Sequence, residues 1–241
     1  MHVVDLAETL VAAHGAVADL PDAELAMVAR YRGAPRRAQA TVSRLLTRAV
    51  AGHALRTPPR AVEVTVDGWG RPSVTGSPHT NISHDGGLVV LVSGSGPCGV
   101  DVEDTAESDL RGLVGRFCGV DEVPVSARQS WTAKESAAKA IGRGLRAGLA
   151  TIRFQDDPGA GWAPVTWRGD RMPLRTRAVD LGARHLALTV SARAVAPTVR
   201  VSVWRPARAH GRWWLAEAEK APAALAAVSR TLTSELSQER R

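Results

Sequence analysis

The apolar residues of this chain follow two periods, one helical and one extended, and the changes between them mark out its elements. Residues 36–50 carry Val42, Leu45, Leu46, Ala49 and Val50 on one helical face, with Arg36, Arg37, Arg44 and Arg48 as basic positions around it. Alternation over 62–66 predicts a strand ending in an Asp67-Gly68 turn. Residues 80–84 and 88–93 predict a hairpin around Asp85-Gly86-Gly87, and 98–103 a third strand. Ser108 opens a short helix toward Phe117. Ser126, with Gln129 three residues on, is a capping-box pattern for a helix that Gly142 and Gly144 end. Strand patterns return at 151–154, 164–167, 174–179 and 185–191, and alternation at 199–203 adds one more. The first 30 residues read as loosely helical. Residues 223–236, with Leu225, Val228, Leu232 and Leu236, read as an amphipathic terminal helix.

A length of 241 residues suits one large domain or two small ones, and 44% hydrophobic with 23% charged residues is ordinary for a globular protein. No apolar run approaches the roughly 18 residues of a membrane span, and the N-terminus lacks a secretory pattern. The expected compartment is the cytoplasm. Cys98 and Cys118 stand alone, so neither a disulfide framework nor a zinc site is indicated. The net charge of +7 implies an anionic partner. Among 31 basic residues only Lys134, Lys139 and Lys220 are lysine. Two of those three lie five residues apart on one predicted helix, where an ammonium is used in a chain that otherwise prefers guanidinium.

Three short stretches concentrate the chemistry: Asn81-Ile82-Ser83-His84, Gly99-Val100-Asp101-Val102-Glu103, and the run from Trp131 to Lys139. In an extended strand, side chains two apart share a face, so Asn81 pairs with Ser83 and Asp101 with Glu103. Residues three and four apart on a helix are neighbours, which groups Trp131, Lys134, Glu135 and Lys139. Each stretch alone has a bland explanation: solvated strand ends, a surface Glu–Lys pair, a structural histidine. Trp131 reads as a core anchor. Together they are the parts for holding a metal ion and a polyphosphate.

These residues resemble the 4'-phosphopantetheinyl transferase superfamily. Gly99-Val100-Asp101-Val102-Glu103 followed by Trp131-Thr132-Ala133-Lys134-Glu135-Ser136-Ala137-Ala138-Lys139 is similar to its signature. Asn81 to His84 and Gly70-Arg71-Pro72 resemble the longer, single-chain surfactin-synthetase type, and the likeness runs over about residues 28–192. Arg116-Phe117 and Gly142-Arg143-Gly144-Leu145 add to it. Two departures bear on it. The gap from Asp101 to Glu135, 34 residues, is short for the family and touches partner choice. Ala40 stands where relatives often have an aromatic.

The resemblance implies an α+β fold of two similar α/β halves related by a pseudo-twofold axis, with the active site at their interface. Residues 1–104 would be the N-terminal half, 105–194 the C-terminal half, and 195–241 a C-terminal extension. It implies transfer of phosphopantetheine from coenzyme A to a serine of an apo acyl or peptidyl carrier protein, with 3',5'-ADP released. Polyketide or non-ribosomal peptide synthesis is the usual setting. The metal, Mg²⁺ or alternatively Mn²⁺, would be held by Asp101, Glu103 and Glu135, with Asp104 a spare acid. Lys139 and Lys134 would neutralise developing phosphate charge. Ser83 and His84 would donate to the phosphates, and Arg37, Arg44 and Arg71 would gather the 3'-phosphate. The base is Glu135 or a water relaying through it, and both readings stay open. Carrier proteins are typically acidic, which gives the positive charge a use, and one chain holding both halves would work as a monomer. No nucleic acid or membrane partner is expected. The rival readings are a Mg²⁺-dependent nucleotide or pyrophosphate hydrolase and a non-catalytic protein that binds carriers.

Overall fold

The computed structural model describes residues 2–5, 17–66, 72–104, 110–122, 126–192, 202–210 and 212–217. In chain order the elements are β1 (His2–Asp5), β2 (Val17–Ala18), α1 (Asp22–Ala29), α2 (Ala34–Leu55), β3 (Thr65–Val66), β4 (Pro72–Ser73), β5 (His79–Asp85), β6 (Leu88–Gly94) and β7 (Cys98–Asp104). There follow α3 (Val114–Phe117), α4 (Ala127–Ile141), β8 (Ile152–Phe154), β9 (Ala163–Trp167), β10 (Asp170–Asp180), β11 (Arg184–Ser191), β12 (Ser202–Ala209) and β13 (Arg212–Glu217).

Helix and sheet are mixed, as the class expected from sequence requires. One sheet runs β2-β13-β12-β1-β6-β5, with parallel pairs at β1–β12 and β13–β2. A second runs β7-β11-β10-β9-β8 and is antiparallel throughout. The pair β3–β4 stands apart. Among the described residues no helix is long and apolar enough to cross a membrane.

Alternation along β6 explains how the first sheet is covered on both faces. Val89 and Leu91 pack under α2 with Val42, Leu45, Leu46, Leu20, Trp204 and Leu215. Val90 and Val92 turn the other way, onto Val100 and Val102 of β7 and Leu186 and Leu188 of β11. A strand buried on both faces reads as a continuous apolar run, which is what 88–92 shows. The helix α4 lies directly on β7: a Cβ at Gly99 would sit 2.1 Å from the Ser136 carbonyl oxygen, so only glycine allows this approach. Ser126 caps α4 by accepting from the Gln129 amide at 3.3 Å. The Gln129 side chain turns to Asp157 rather than back to the cap, so the box is half formed. Gly142, at φ 84°, closes the helix.

Several expectations change. Residues 2–5 form a strand, not a helix: β1 slots between β12 and β6, where its backbone finds partners on both sides. The strand expected over 62–66 shrinks to Thr65–Val66, which pairs with Pro72–Ser73, while Val62 is extended and closes the 3₁₀ turn Pro59–Ala61. The Cys98–Asp104 strand, grouped above with the N-terminal half, pairs with β11 of the second sheet. Residues 202–217, grouped as an extension, supply two strands of the first sheet. The Asp67-Gly68 turn, the Ser108 cap and the 223–236 helix lie outside the described residues.

Candidate active site

β5 and β7 are edge strands of different sheets, and side chains join them. Asn81, Ser83 and Asp85 share one face of β5 by the two-residue period. Asn81 Oδ1 accepts from the Val100 amide at 3.0 Å, Ser83 Oγ donates to Asp101 Oδ1 at 2.8 Å, and an Asp85 oxygen accepts from the Asp104 amide. Seams of backbone polar groups at sheet edges need partners, and here polar side chains supply them while fixing Asp101 in place.

The helix α4 presents Trp131, Glu135 and Lys139 to that seam at successive four-residue steps. Lys139 Nζ donates to Asp101 Oδ1 at 2.6 Å, to Ser83 Oγ at 3.1 Å and to the Val100 carbonyl at 3.2 Å. It also lies 3.8 Å from Glu135 Oε2. Trp131 Nε1 donates to Glu103 Oε1 at 3.0 Å. The indole is half-buried and packs edge-on against Phe117, so Trp131 anchors the ring of a carboxylate site as well as the core.

Three carboxyls share this corner and repel one another. Burial pushes Glu103 up to about 7, helped by the charge of Asp101, while the Trp131 N–H opposes the shift. Burial and Asp101 raise Glu135, with Lys139 holding it back. Asp101 is raised by burial and restrained by Lys139 and Ser83. Burial lowers His84, and Arg36 and Lys139 lower it further, so the imidazole is neutral near pH 7 and donates from one nitrogen only.

These residues fit a divalent cation. Asp101 Oδ2 is buried with no hydrogen-bond partner, and the raised carboxyls would be relieved by positive charge. Among the described residues no three His, Cys, Asp or Glu side chains form a ready-made cage. Mg²⁺ does not require one, because it takes one or two carboxylates and completes its shell with water and substrate phosphate.

The seam opens into a cleft of about 590 Å³, within the range of small-molecule sites. Its polar lining includes Ser83, His84, Asp85, Asp101, Glu103 and Lys139, from β5, β7 and α4. Its apolar lining includes Met27, Tyr31, Val66 and Pro72, from α1, β3 and β4 and the turn after α1. The helix α2 contributes Arg36, Gln39, Ala40, Ser43, Arg44 and Thr47.

The residues expected at the site therefore divide. Ser83, His84, Asp101, Glu103, Lys139 and Arg44 line the cleft, and Glu135 adjoins it through Lys139. Arg44 also sits 3.5 Å from Glu24. Arg37 does not line it: it is exposed and donates to the Tyr31 carbonyl at 3.1 Å. Lys134 points the other way. It is 0% exposed and donates to Glu122 at 2.7 Å and to the Ile152 carbonyl at 2.7 Å. The reason is helical phase, since positions 134 and 139 fall about 140° apart around α4. Asp104, the spare acid, pairs with Arg184 at 3.7 Å. Arg71 lies outside the described residues. Arg36 and Asp85 belong to the lining although the sequence did not single them out for it.

Comparison with known proteins bears on the part of the chain that builds this corner. Residues 97–190 match the family model of the 4'-phosphopantetheinyl transferase superfamily. The matched stretch takes in β7, α4 and nearly all of the second sheet, hence Asp101, Glu103, Trp131, Glu135 and Lys139. Two curated relatives are "4'-phosphopantetheinyl transferase psf-1" of Bacillus pumilus and "4'-phosphopantetheinyl transferase" of Bacillus subtilis. The first is 32% identical over 106 residues, covering 38% of this chain and 45% of the relative. The second is 28% identical over 127 residues, covering 47% of this chain and 57% of the relative. The chain thus spans about half the length of these curated relatives. Ser83, His84 and the α2 lining lie outside the matched stretch, and Ser83 joins it through its hydrogen bond to Asp101.

Proposed function

We propose that this chain transfers 4'-phosphopantetheine from coenzyme A to a serine of an apo acyl or peptidyl carrier protein. The observation that carries the reading is one cleft lined by apolar side chains from α1, β3 and β4 and by hydrogen-bond donors and carboxylates from β5, β7 and α4. A ligand with a planar base and a polyphosphate matches such a lining. The two Bacillus relatives, both 4'-phosphopantetheinyl transferases by name, support the reaction class.

In this reading Asp101 and Glu103, with Glu135 beside them, hold Mg²⁺ or Mn²⁺, which supplies charge neutralisation at the coenzyme A pyrophosphate. Lys139 faces the same phosphates with a compact ammonium, and Ser83, neutral His84, Arg36 and Arg44 donate around them. The carrier serine oxygen forms a bond to the phosphorus that bears pantetheine. The bond from that phosphorus to the bridging oxygen breaks, and 3',5'-ADP leaves with the electron pair. The serine proton passes to Glu135 or to a water that relays through it. The two sheets, each covered by one long helix, would be the two halves of a pseudo-twofold fold, with the cleft between them. Acidic carriers would meet a chain of net charge +7, and the protein would act as a monomer.

Mass spectrometry of apo carrier proteins incubated with the protein, coenzyme A and Mg²⁺ tests this reading. The expected result is a phosphopantetheine adduct on one serine together with 3',5'-ADP. Consumption of coenzyme A without carrier would instead establish a hydrolase, and no consumption with any carrier would leave a binding protein.

A further inference from the structure

We propose that Trp131 is a positioning residue that orients Glu103 for cation binding. This rests on the reading of Asp101 and Glu103 as cation ligands. The two acids are two residues apart on β7 and share a face, yet they are held by different means. Asp101 is gripped by the Lys139 ammonium and by Ser83. Glu103 receives the Trp131 N–H at 3.0 Å on Oε1.

The difference matters chemically. An ammonium beside a carboxylate cancels much of the charge that a cation would use. An indole N–H is a donor only, carries no charge and cannot itself ligate a metal. It therefore fixes one oxygen of Glu103 while leaving the other oxygen, and the negative charge of the ionised carboxylate, to the cation. The ring is fixed in turn. It meets fully buried Phe117 edge-on, with centroids 5.3 Å apart and planes at 82°. Glu103 lines the cleft whereas Trp131 does not, so the indole acts from behind its ligand. Four-residue spacing sets Trp131, Glu135 and Lys139 on one face of α4, so one helix orients Glu103, supplies Glu135 and restrains Asp101. Groups that orient a metal ligand typically change metal affinity 10- to 100-fold when removed.

Trp131→Phe keeps the aromatic contact with Phe117 and deletes the N–H. Mn²⁺ affinity of the whole protein without coenzyme A, by calorimetry, should weaken by about 10- to 100-fold. Phosphopantetheine transfer should return toward the wild-type rate as Mg²⁺ is raised. Equal Mn²⁺ affinity in variant and wild type overturns the proposal and makes the indole a packing residue. If the wild type itself binds no Mn²⁺ and transfers without divalent cation, the cation reading of Asp101 and Glu103 has failed, and the proposal falls with it. A measurement on the wild type guards against a variant that does not fold. Among the seven tryptophans, one ¹⁵N-indole resonance should shift when Mg²⁺ is added and should lose that response in Glu103→Gln. No indole resonance responding to Mg²⁺ overturns the proposal.

Discussion

Lys139 Nζ lies 2.6 Å from Asp101 Oδ1, and the same ammonium reaches Ser83 Oγ and the Val100 carbonyl. One side chain of α4 thus ties together β5 and β7, the edge strands of the two sheets. The site is too close-set for a planar fork, which would need to replace three convergent contacts with a wider array. Lys139→Arg keeps the charge and the helix propensity, so the fold should survive. Its kcat/KM for transfer should nevertheless fall by about 10²-fold, the scale of losing one placed donor at developing charge. Wild-type kinetics in this variant would show that Lys139 serves only to pair with Asp101.

The carboxyl of Glu103 gives the corner a pH signature. Its value in the fold is about 7 against an ordinary 4.5, so the fold favours the protonated form. Stability from this group is present in full below about 4.5 and is lost as pH rises through about 7. His84 has the opposite sign: its folded value lies below the ordinary 6.5, so it withdraws stability as pH falls through that range. Glu103→Gln isolates the first effect. Relative to wild type, the Tm of Glu103→Gln should rise as pH is raised across this window. Added Mg²⁺ should raise the wild-type Tm more above pH 7 than below pH 5, because the cation needs the ionised carboxylate. Parallel Tm curves for wild type and variant would mean that Glu103 is not held in its protonated form.

The strands β12 and β13 lie after the last motif, but they are part of the first sheet. Trp204 is 7% exposed and Leu215 3%, both in the cluster beneath α2. Truncation after residue 195 should therefore abolish soluble folding. The milder Trp204→Ala should cost about 3–5 kcal/mol in denaturant unfolding, while kcat in the folded fraction stays near wild type. A soluble truncated protein that binds coenzyme A normally would assign the hairpin to another role.

What could be read from the sequence was local. The hairpin around Gly86, the capped helix at Ser126 and the pairing of Asp101 with Glu103 all follow from spacing within one element. Phase along a helix is readable as well. Arg36, Gln39, Ala40, Ser43, Arg44 and Thr47 recur at three- and four-residue steps, and they form the stripe of α2 that lines the cleft. That stripe admits Arg36 and excludes Arg37. Pairings over long separations were not readable. Nothing in Val3 and Val4 announces that β1 will lie between β6 and a strand 200 residues later. Trp131 looked like a core anchor because packing accounts for an aromatic residue on a helix without reference to Glu103.

The same phase argument decides Lys134. It sits one residue from Glu135, yet its ammonium is fully buried on the other flank of α4. There it meets Glu122 at 2.7 Å, the Ile152 carbonyl at 2.7 Å and the Leu149 carbonyl at 3.4 Å, closing the start of β8 against the helix. Burial lowers its proton affinity, and Glu122 opposes that shift. Removing one partner of a buried ion pair strands the other, at about 3–5 kcal/mol. Glu122 retains Arg153 at 3.3 Å, so the lower end applies. Lys134→Met matches the length of the side chain and should lower stability by about 3 kcal/mol. Its KM for coenzyme A and its kcat, corrected for the folded fraction, should stay within about threefold of wild type, far from the 10²-fold scale of a lost phosphate contact. Chemical denaturation read beside steady-state kinetics separates the two. A stable Lys134→Met protein with a large loss of kcat would return this lysine to the phosphates.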